Sequence, residues 1–155
     1  MVQRRAALHD RGMLADARPE AVLSQHLAAM NRHDASAVAA LYSDDGRWAE
    51  PPGTVELHGR DLVRQYLLLI FRAFPDLTIS NLRSLASRNA IIIEWRAEGT
   101  HRGAFLGLPG TGRHVAVHGA SILDIRDGKV LVSHHYCDSA TLLRQLDALP
   151  QGEPL

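Results

Sequence analysis

Asp138 closes a run that reads as a β-strand, Lys129-Val130-Leu131-Val132-Ser133-His134-His135-Tyr136-Cys137. In a regular strand Val130, Val132, His134, Tyr136 and Asp138 share one face, because side chains alternate with period two. That face carries a carboxylate, an imidazole and a phenol. Such a set can take a proton from a carbon acid and return it to a developing alkoxide. Burial disfavours the charged form of a carboxyl, so an Asp138 packed under apolar helices is expected to have a raised pKa and to act as the acid/base. The plainer reading is a helix cap. Ser139-Ala140-Thr141-Leu142-Leu143-Arg144-Gln145-Leu146 follows as a short amphipathic helix, and Asp138 or Ser139 can hold its first amides.

Three other polar residues are catalytic candidates. Glu50 ends a short strand over 47–50, before Pro51-Pro52-Gly53, and shares a face with Trp48. If buried, it pairs with Asp138 as a second carboxylate, and if solvated it is a rim charge. His118 interrupts Val115-Ala116-Val117-His118-Gly119 and can donate to a substrate oxygen. The residues Val115, Val117, Ser121, Leu123 and Ile125 hold the opposite parity, which turns His118 outward unless both faces are buried or Gly119 marks a bulge. His134 and His135 are neighbours and point to opposite faces, so with Asp138 inward it is His134 that enters the pocket. The same geometry argues against a metal, since adjacent strand histidines cannot ligate one ion. Trp48, Trp95, Tyr66, Tyr136 and Phe105 are candidates for contact with a flat apolar ligand, against the ordinary alternative that they fill the core. Cys137 reads as a small buried hydrophobe. His101 and Arg102 read as loop hydrogen-bonding residues.

The elements that must position these groups are visible in the periodicity. Pro19 opens a helix to about residue 31, with Val22, Leu23, His26, Leu27 and Met30 on one face. Asp34 caps a second helix with Val38, Leu41 and Tyr42 on its apolar side, and Ser43-Asp44-Asp45-Gly46 breaks it. A third helix runs from about residue 60 to 74, with a wide stripe of Leu62, Val63, Tyr66, Leu67, Ile70, Phe71 and Phe74. Pro75-Asp76 stops it. Strands follow over 77–84, 90–99 and 113–126, with a Gly-dense loop over 100–112, and Asp127-Gly128 turns into the last strand. Helices before a run of antiparallel strands predict an α+β fold. A curved sheet wrapped on helices leaves a blind pocket of the kind that binds small ligands.

Length and charge bound the rest. The 155 residues suit one domain over 19–149, with an arm or loose helix over 1–18 and a tail over 150–155. Seventeen basic and seventeen acidic residues leave no basic field for nucleic acid or an anionic membrane. One cysteine excludes an internal disulfide. No run is long enough to span a bilayer, and charges interrupt the start where a signal peptide needs an apolar stretch. A soluble cytoplasmic protein is expected.

Phe74-Pro75-Asp76-Leu77, Glu94-Trp95, Gly99-Thr100-His101-Arg102-Gly103-Ala104-Phe105-Leu106-Gly107, Pro109-x-Thr111-Gly112-Arg113, Asp127-Gly128-Lys129 and Tyr136-x-Asp138 with Leu142-Leu143-Arg144-Gln145-Leu146 occur in this order. Over about residues 20 to 148 the set resembles the SnoaL-like polyketide cyclases, or ester cyclases, of the nuclear-transport-factor-2-like superfamily. The resemblance implies a cone: a curved, mostly antiparallel sheet around three helices, with a short C-terminal helix and neither a metal nor an organic cofactor. It implies intramolecular aldol closure of a polyketide-like intermediate, with Asp138 as acid and base by motif position. An enzyme of the same fold that opens an epoxide or adds a hydroxyl is the alternative, and a non-catalytic small-molecule binder is the third. The expected partners are a small apolar or aromatic substrate and a second copy of the chain. Ile91, Ile92 and Ile93 put apolar residues on both faces of one strand, which predicts a homodimer or higher oligomer packed sheet to sheet.

Overall fold

The computed structural model describes residues 18–51 and 55–150. The expected N-terminal arm, apart from Arg18, the Pro52-Gly53 turn and the tail beyond Pro150 lie outside the described residues. Helix α1, Pro19–Asn31, begins on a proline whose missing N–H is no loss in a first turn. It buries Val22, Leu23, His26, Ala29 and Met30. Helix α2, Ala35–Ala40, is capped by Asp34, which accepts the Ala37 N–H at 2.8 Å. Helix α3, Arg60–Ala73, buries Val63, Leu67 and Phe71. Helix α4, Ser139–Gln145, follows the last strand. No described helix is long and apolar enough to cross a membrane.

Six strands make one curled, mostly antiparallel sheet. They are β1 Tyr42–Glu50, β2 Val55–His58, β3 Thr78–Ala86, β4 Ala90–Thr100, β5 His114–Arg126 and β6 Lys129–Cys137, in the spatial order β2-β1-β6-β5-β4-β3. The α+β architecture predicted from helices preceding strands is the one observed. Helices α1 to α3 lie on one face and share a core with the sheet, built on Tyr42, Leu67, Ile91, Leu123 and Val130. A second cluster of Ala73, Phe74, Val115 and Leu146 fastens α4 and the Gly-rich loop to the base of the sheet.

Three departures from the sequence reading bear on function. Tyr42, assigned to the apolar side of the second helix, instead begins β1, and β2 was not anticipated. The Ser43–Gly46 turn signal is real, but it is spent inside β1. Tyr42 pairs with Val130 and Arg47 with Val132, so the intervening residues bulge out of an otherwise parallel ladder with β6. Gly46 sits within this bulge, where a Cβ would meet the Tyr42 side chain and the Ser43 carbonyl, both at 3.0 Å. The third departure is in β6. Asp124 pairs with Val132 and Ile125 with Val130, which leaves Leu131 unpaired as a β-bulge. One extra residue reverses the parity beyond it, so Val130 and then Ser133 are fully buried.

Candidate active site

The reversal in β6 decides which side chains enter the cone. His135, not His134, turns inward and stacks on the Trp48 indole, with ring centroids 3.7 Å apart and planes 23° from parallel. Its Nδ1 lies 2.8 Å from Ser121 Oγ and its Nε2 2.9 Å from Ser133 Oγ. Ser121 accepts the Trp95 indole N–H at 2.8 Å. Ser133 lies 2.8 Å from the Tyr42 hydroxyl. A continuous polar chain, Trp95–Ser121–His135–Ser133–Tyr42, thus crosses the inner face of β4, β5, β6 and β1. Burial first, then the neighbouring His26 and His134, hold the His135 pKa well below its ordinary value, so the ring is neutral.

Beside this chain stands Glu50. Its Oε1 accepts the Trp48 indole N–H at 3.0 Å and the Tyr66 hydroxyl at 2.9 Å. Tyr66 comes from α3, and its ring meets Trp48 edge-on at 6.0 Å. Burial, followed by the charge and hydrogen bond of Glu50, raises the Tyr66 pKa, so the phenol keeps its proton. Cys137 sits at the same end. Solvent reaches the residue, so it is not the buried hydrophobe expected, yet its thiol is pushed up to about 11, first by burial of the sulfur and then by Glu50 and Asp138. Glu50, Tyr66, Cys137 and Asp138 therefore gather at one end of the cone, under partly exposed Trp95.

Asp138 stands beside this group but is turned to α4, and the remaining sequence candidates lie on the outer face of the sheet or in the second cluster. Asp138 does not have the buried setting expected of it. It is exposed, and its Oδ1 accepts the Thr141 N–H at 3.0 Å as the N-cap of α4. The Thr141 amide and hydroxyl hold its carboxyl below the usual carboxylate range, the opposite of the predicted direction. His118 points outward from β5, opposite Arg96; its carbonyl accepts the Asp138 N–H at 3.1 Å, and its ring adds a small charge effect on the Asp138 carboxyl. His134, opposite Ile122, and Tyr136, opposite Ala120 and 45% exposed, share the outer face. Phe105 packs edge-on against Phe74 at 5.2 Å, in the second cluster. Of the predicted residues, the structure brings together Glu50, Trp48, Tyr66 and Trp95. It adds His135, Ser121, Ser133 and Tyr42; Ser121, among the inward apolar residues of its strand, carried a signal, while alternation along an unbroken β6 puts Ser133 and His135 outward. Among the described residues no three or more His, Cys, Asp or Glu side chains are grouped to hold a metal ion.

A curled, mostly antiparallel sheet on helices, with Glu50 set between Trp48 and Tyr66 at one end, belongs to the cone-shaped α+β class. The family model for SnoaL-like polyketide cyclases matches residues 20–146, and the chain belongs to that family. No curated protein matches it. Among solved structures it is similar to AclR, a proposed hydroxylase from Streptomyces galilaeus, at 27% identity and TM-score 0.77, covering 87% of this chain and 84% of that one. TsrD from Streptomyces laurentii has the same fold at 23% identity and TM-score 0.77, over 88% of this chain and 100% of its own. So does a proposed SnoaL-like polyketide cyclase from a Jannaschia species, at 16% identity and TM-score 0.75, over 96% and 100%.

Proposed function

We propose that this protein is a cofactor-independent cyclase, a cytoplasmic homodimer that closes a ring on a polyketide-like intermediate by acid/base catalysis. The observation that carries this reading is the setting of Glu50, a carboxylate oriented by Trp48 and Tyr66 at the aromatic end of the cone. Aldol closure needs a base at an acidic C–H and a proton for the oxygen of the attacked carbonyl. One carboxyl serves both steps. Glu50 takes the proton from carbon, the enolate carbon bonds to the carbonyl carbon, and the proton passes from Glu50 to the alkoxide. Tyr66 and Trp95 are the rings against which a flat substrate rests, while Trp48 is buried behind Glu50. Asp138, ionised and engaged with α4, is the outer carboxylate of the pair. It shapes the charge at the mouth, and Glu50 takes over the acid/base role that the family resemblance assigned to Asp138.

A second reading, hydroxylation of a similar substrate, is favoured by the likeness to AclR. The products separate the two. Mass spectrometry of the purified protein with β-dicarbonyl polyketide mimics should show a cyclised product of unchanged mass, or one lighter by a water. A product heavier by one oxygen atom would establish the second reading. Glu50→Gln should lower turnover about a hundredfold or more, the usual worth of a positioned acid or base. Asp138→Asn should keep the thermal midpoint, because Asn caps about as well as Asp, and should lose less turnover than Glu50→Gln. The reverse order would return the proton transfer to Asp138.

A further inference from the structure

The polar chain behind Glu50 has a direction, because one of its members can only donate. The Trp95 indole N–H donates to Ser121 Oγ. The hydroxyl proton of Ser121 then goes to His135 Nδ1, 2.8 Å away. The second ring nitrogen, Nε2, therefore carries the hydrogen of the neutral ring and donates to Ser133 Oγ at 2.9 Å. Ser133 in turn donates to the Arg47 carbonyl at 3.4 Å and accepts from the Tyr42 hydroxyl. In this one assignment every proton in the chain has an acceptor. The opposite tautomer leaves the Ser121 proton with no acceptor in the chain and sets the Ser133 proton against the Arg47 bond. The ring is thus held at both nitrogens, in one tautomer and one plane, and that plane lies against the Trp48 indole.

We infer that His135 is a positioning residue for Glu50: fixed by Ser121 and Ser133, its ring holds the Trp48 indole so that the indole N–H stays on the Glu50 carboxylate. This inference deepens the proposed acid/base role of Glu50 and rests on it for its catalytic meaning. The mechanical part stands apart. Trp48 has one side against His135 and its edge toward Tyr66, and its N–H has the Glu50 oxygen at 3.0 Å. An indole released from the stack loses the support of one face and keeps only the Tyr42 and Tyr66 rings and the core around it, and a carboxylate that loses an N–H donor is less stabilised in its charged form.

The test reads Glu50 directly. The Glu50 carboxyl is titrated by carbon-13 NMR in the wild type, Trp48→Phe, His135→Ala and Ser121→Ala. Trp48→Phe keeps a ring and removes the donor, so its Glu50 titration midpoint should rise. His135→Ala should raise it in the same direction, and Ser121→Ala, the milder change if His135→Ala does not fold, should do so too. A wild-type Glu50 titration in the folded His135 and Ser121 variants, beside a raised one in Trp48→Phe, would overturn the inference. Turnover gives the second readout. Trp48→Phe and His135→Ala should each lower kcat about tenfold, the scale of one hydrogen bond to a charged group, with KM little changed. Because both act through one contact, the double variant should be no slower than the worse single one, whereas multiplying losses would mean independent roles. If Glu50→Gln keeps full turnover, the acid/base reading of Glu50 fails by itself, while the titration series still decides whether His135 positions that carboxylate.

Discussion

His26 shows what burial does to one residue in this core. It lies on the inner face of α1, tilted against Tyr42 at 6.5 Å, and its Nε2 has no hydrogen-bond partner among the described residues. Burial lowers its pKa from 6.5 to about 4. The folded pKa lies below the unfolded one, so the unfolded chain binds the proton first. The stabilisation is complete above pH 6.5 and is lost as pH falls toward 4, by about 3 kcal/mol for this single group. His135 shifts in the same direction and adds to the slope. Asp76 and Asp138, both held low, contribute only at more acid pH. Urea midpoints should therefore fall between pH 7 and pH 5, and fall less in His26→Leu. An equal fall in that variant would remove His26 as a source of the slope. Glu50 and Trp48 were legible as a pair because alternation along a short strand puts them on one face. His135 was not, because alternation was counted through Leu131 as though β6 were regular.

At the scale of elements, the ladder irregularities place the site. The bulge at Leu131 turns Ser133 and His135 inward, and a second irregularity in β3, where Asn81 pairs with Trp95 but Arg83 with Glu94, leaves Leu82 exposed. Neither leaves a composition signal, since bulges arise from pairing between strands and not from one strand alone. Gly119 did leave a signal, as an isolated glycine in a strand. It marks a close approach and not a bulge. A Cβ at this position would overlap both the Trp95 indole and the Tyr136 carbonyl. Gly119→Ala should therefore push Trp95 off Ser121, costing about 1–3 kcal/mol as overpacking does, and shift the tryptophan emission. A native midpoint with native emission would show that the indole has room to spare. The helix starts and faces were the most readable part, because proline, an aspartate cap and an apolar stripe each state a start or a face, whereas the end of α2 before Tyr42 carried no such mark.

At the scale of the molecule, the two faces of the sheet differ. The inner one is filled by α1 to α3, while the outer one exposes Leu82, Leu85, Ile92 and Tyr136, with Leu85 at 65% and Ile92 at 46%. A groove of about 390 Å³ runs across it between Leu85, Ile92 and His118. Leu85 and Ile92 face each other across β3 and β4, with Arg83, Glu94 and His118 beside them, and a second copy meeting this face sheet to sheet is the expected cover for the apolar residues on both sides of β4. Leu85→Lys with Ile92→Lys should keep the circular dichroism of the wild type and reduce the mass seen by light scattering to that of one chain. A wild-type protein already monomeric at micromolar concentration would refute the assembly. The architecture followed from element order in the sequence. His134 and Tyr136, expected inside the cone, lie on the outer face, and His118 lines the outer groove, because a sheet with two apolar faces does not state which one is inside.

The parallel pairing of β1 with β6 has a consequence for how the protein comes to be made. Trp48 lies opposite Ser133, so β1, which pairs early with β2 on its other side, finds this second neighbour only when β6 has emerged. Contacts so far apart in sequence are slow to close, since the intervening chain must be ordered before they gain anything. On a ribosome, α1 through β4 can collapse while Trp48 and Glu50 still have no His135 beside them. That end of the cone is thus completed only after β6 has emerged, and a chain cut short before β6 keeps Trp48, Tyr66 and Glu50 but lacks the His135 ring on which Trp48 stacks.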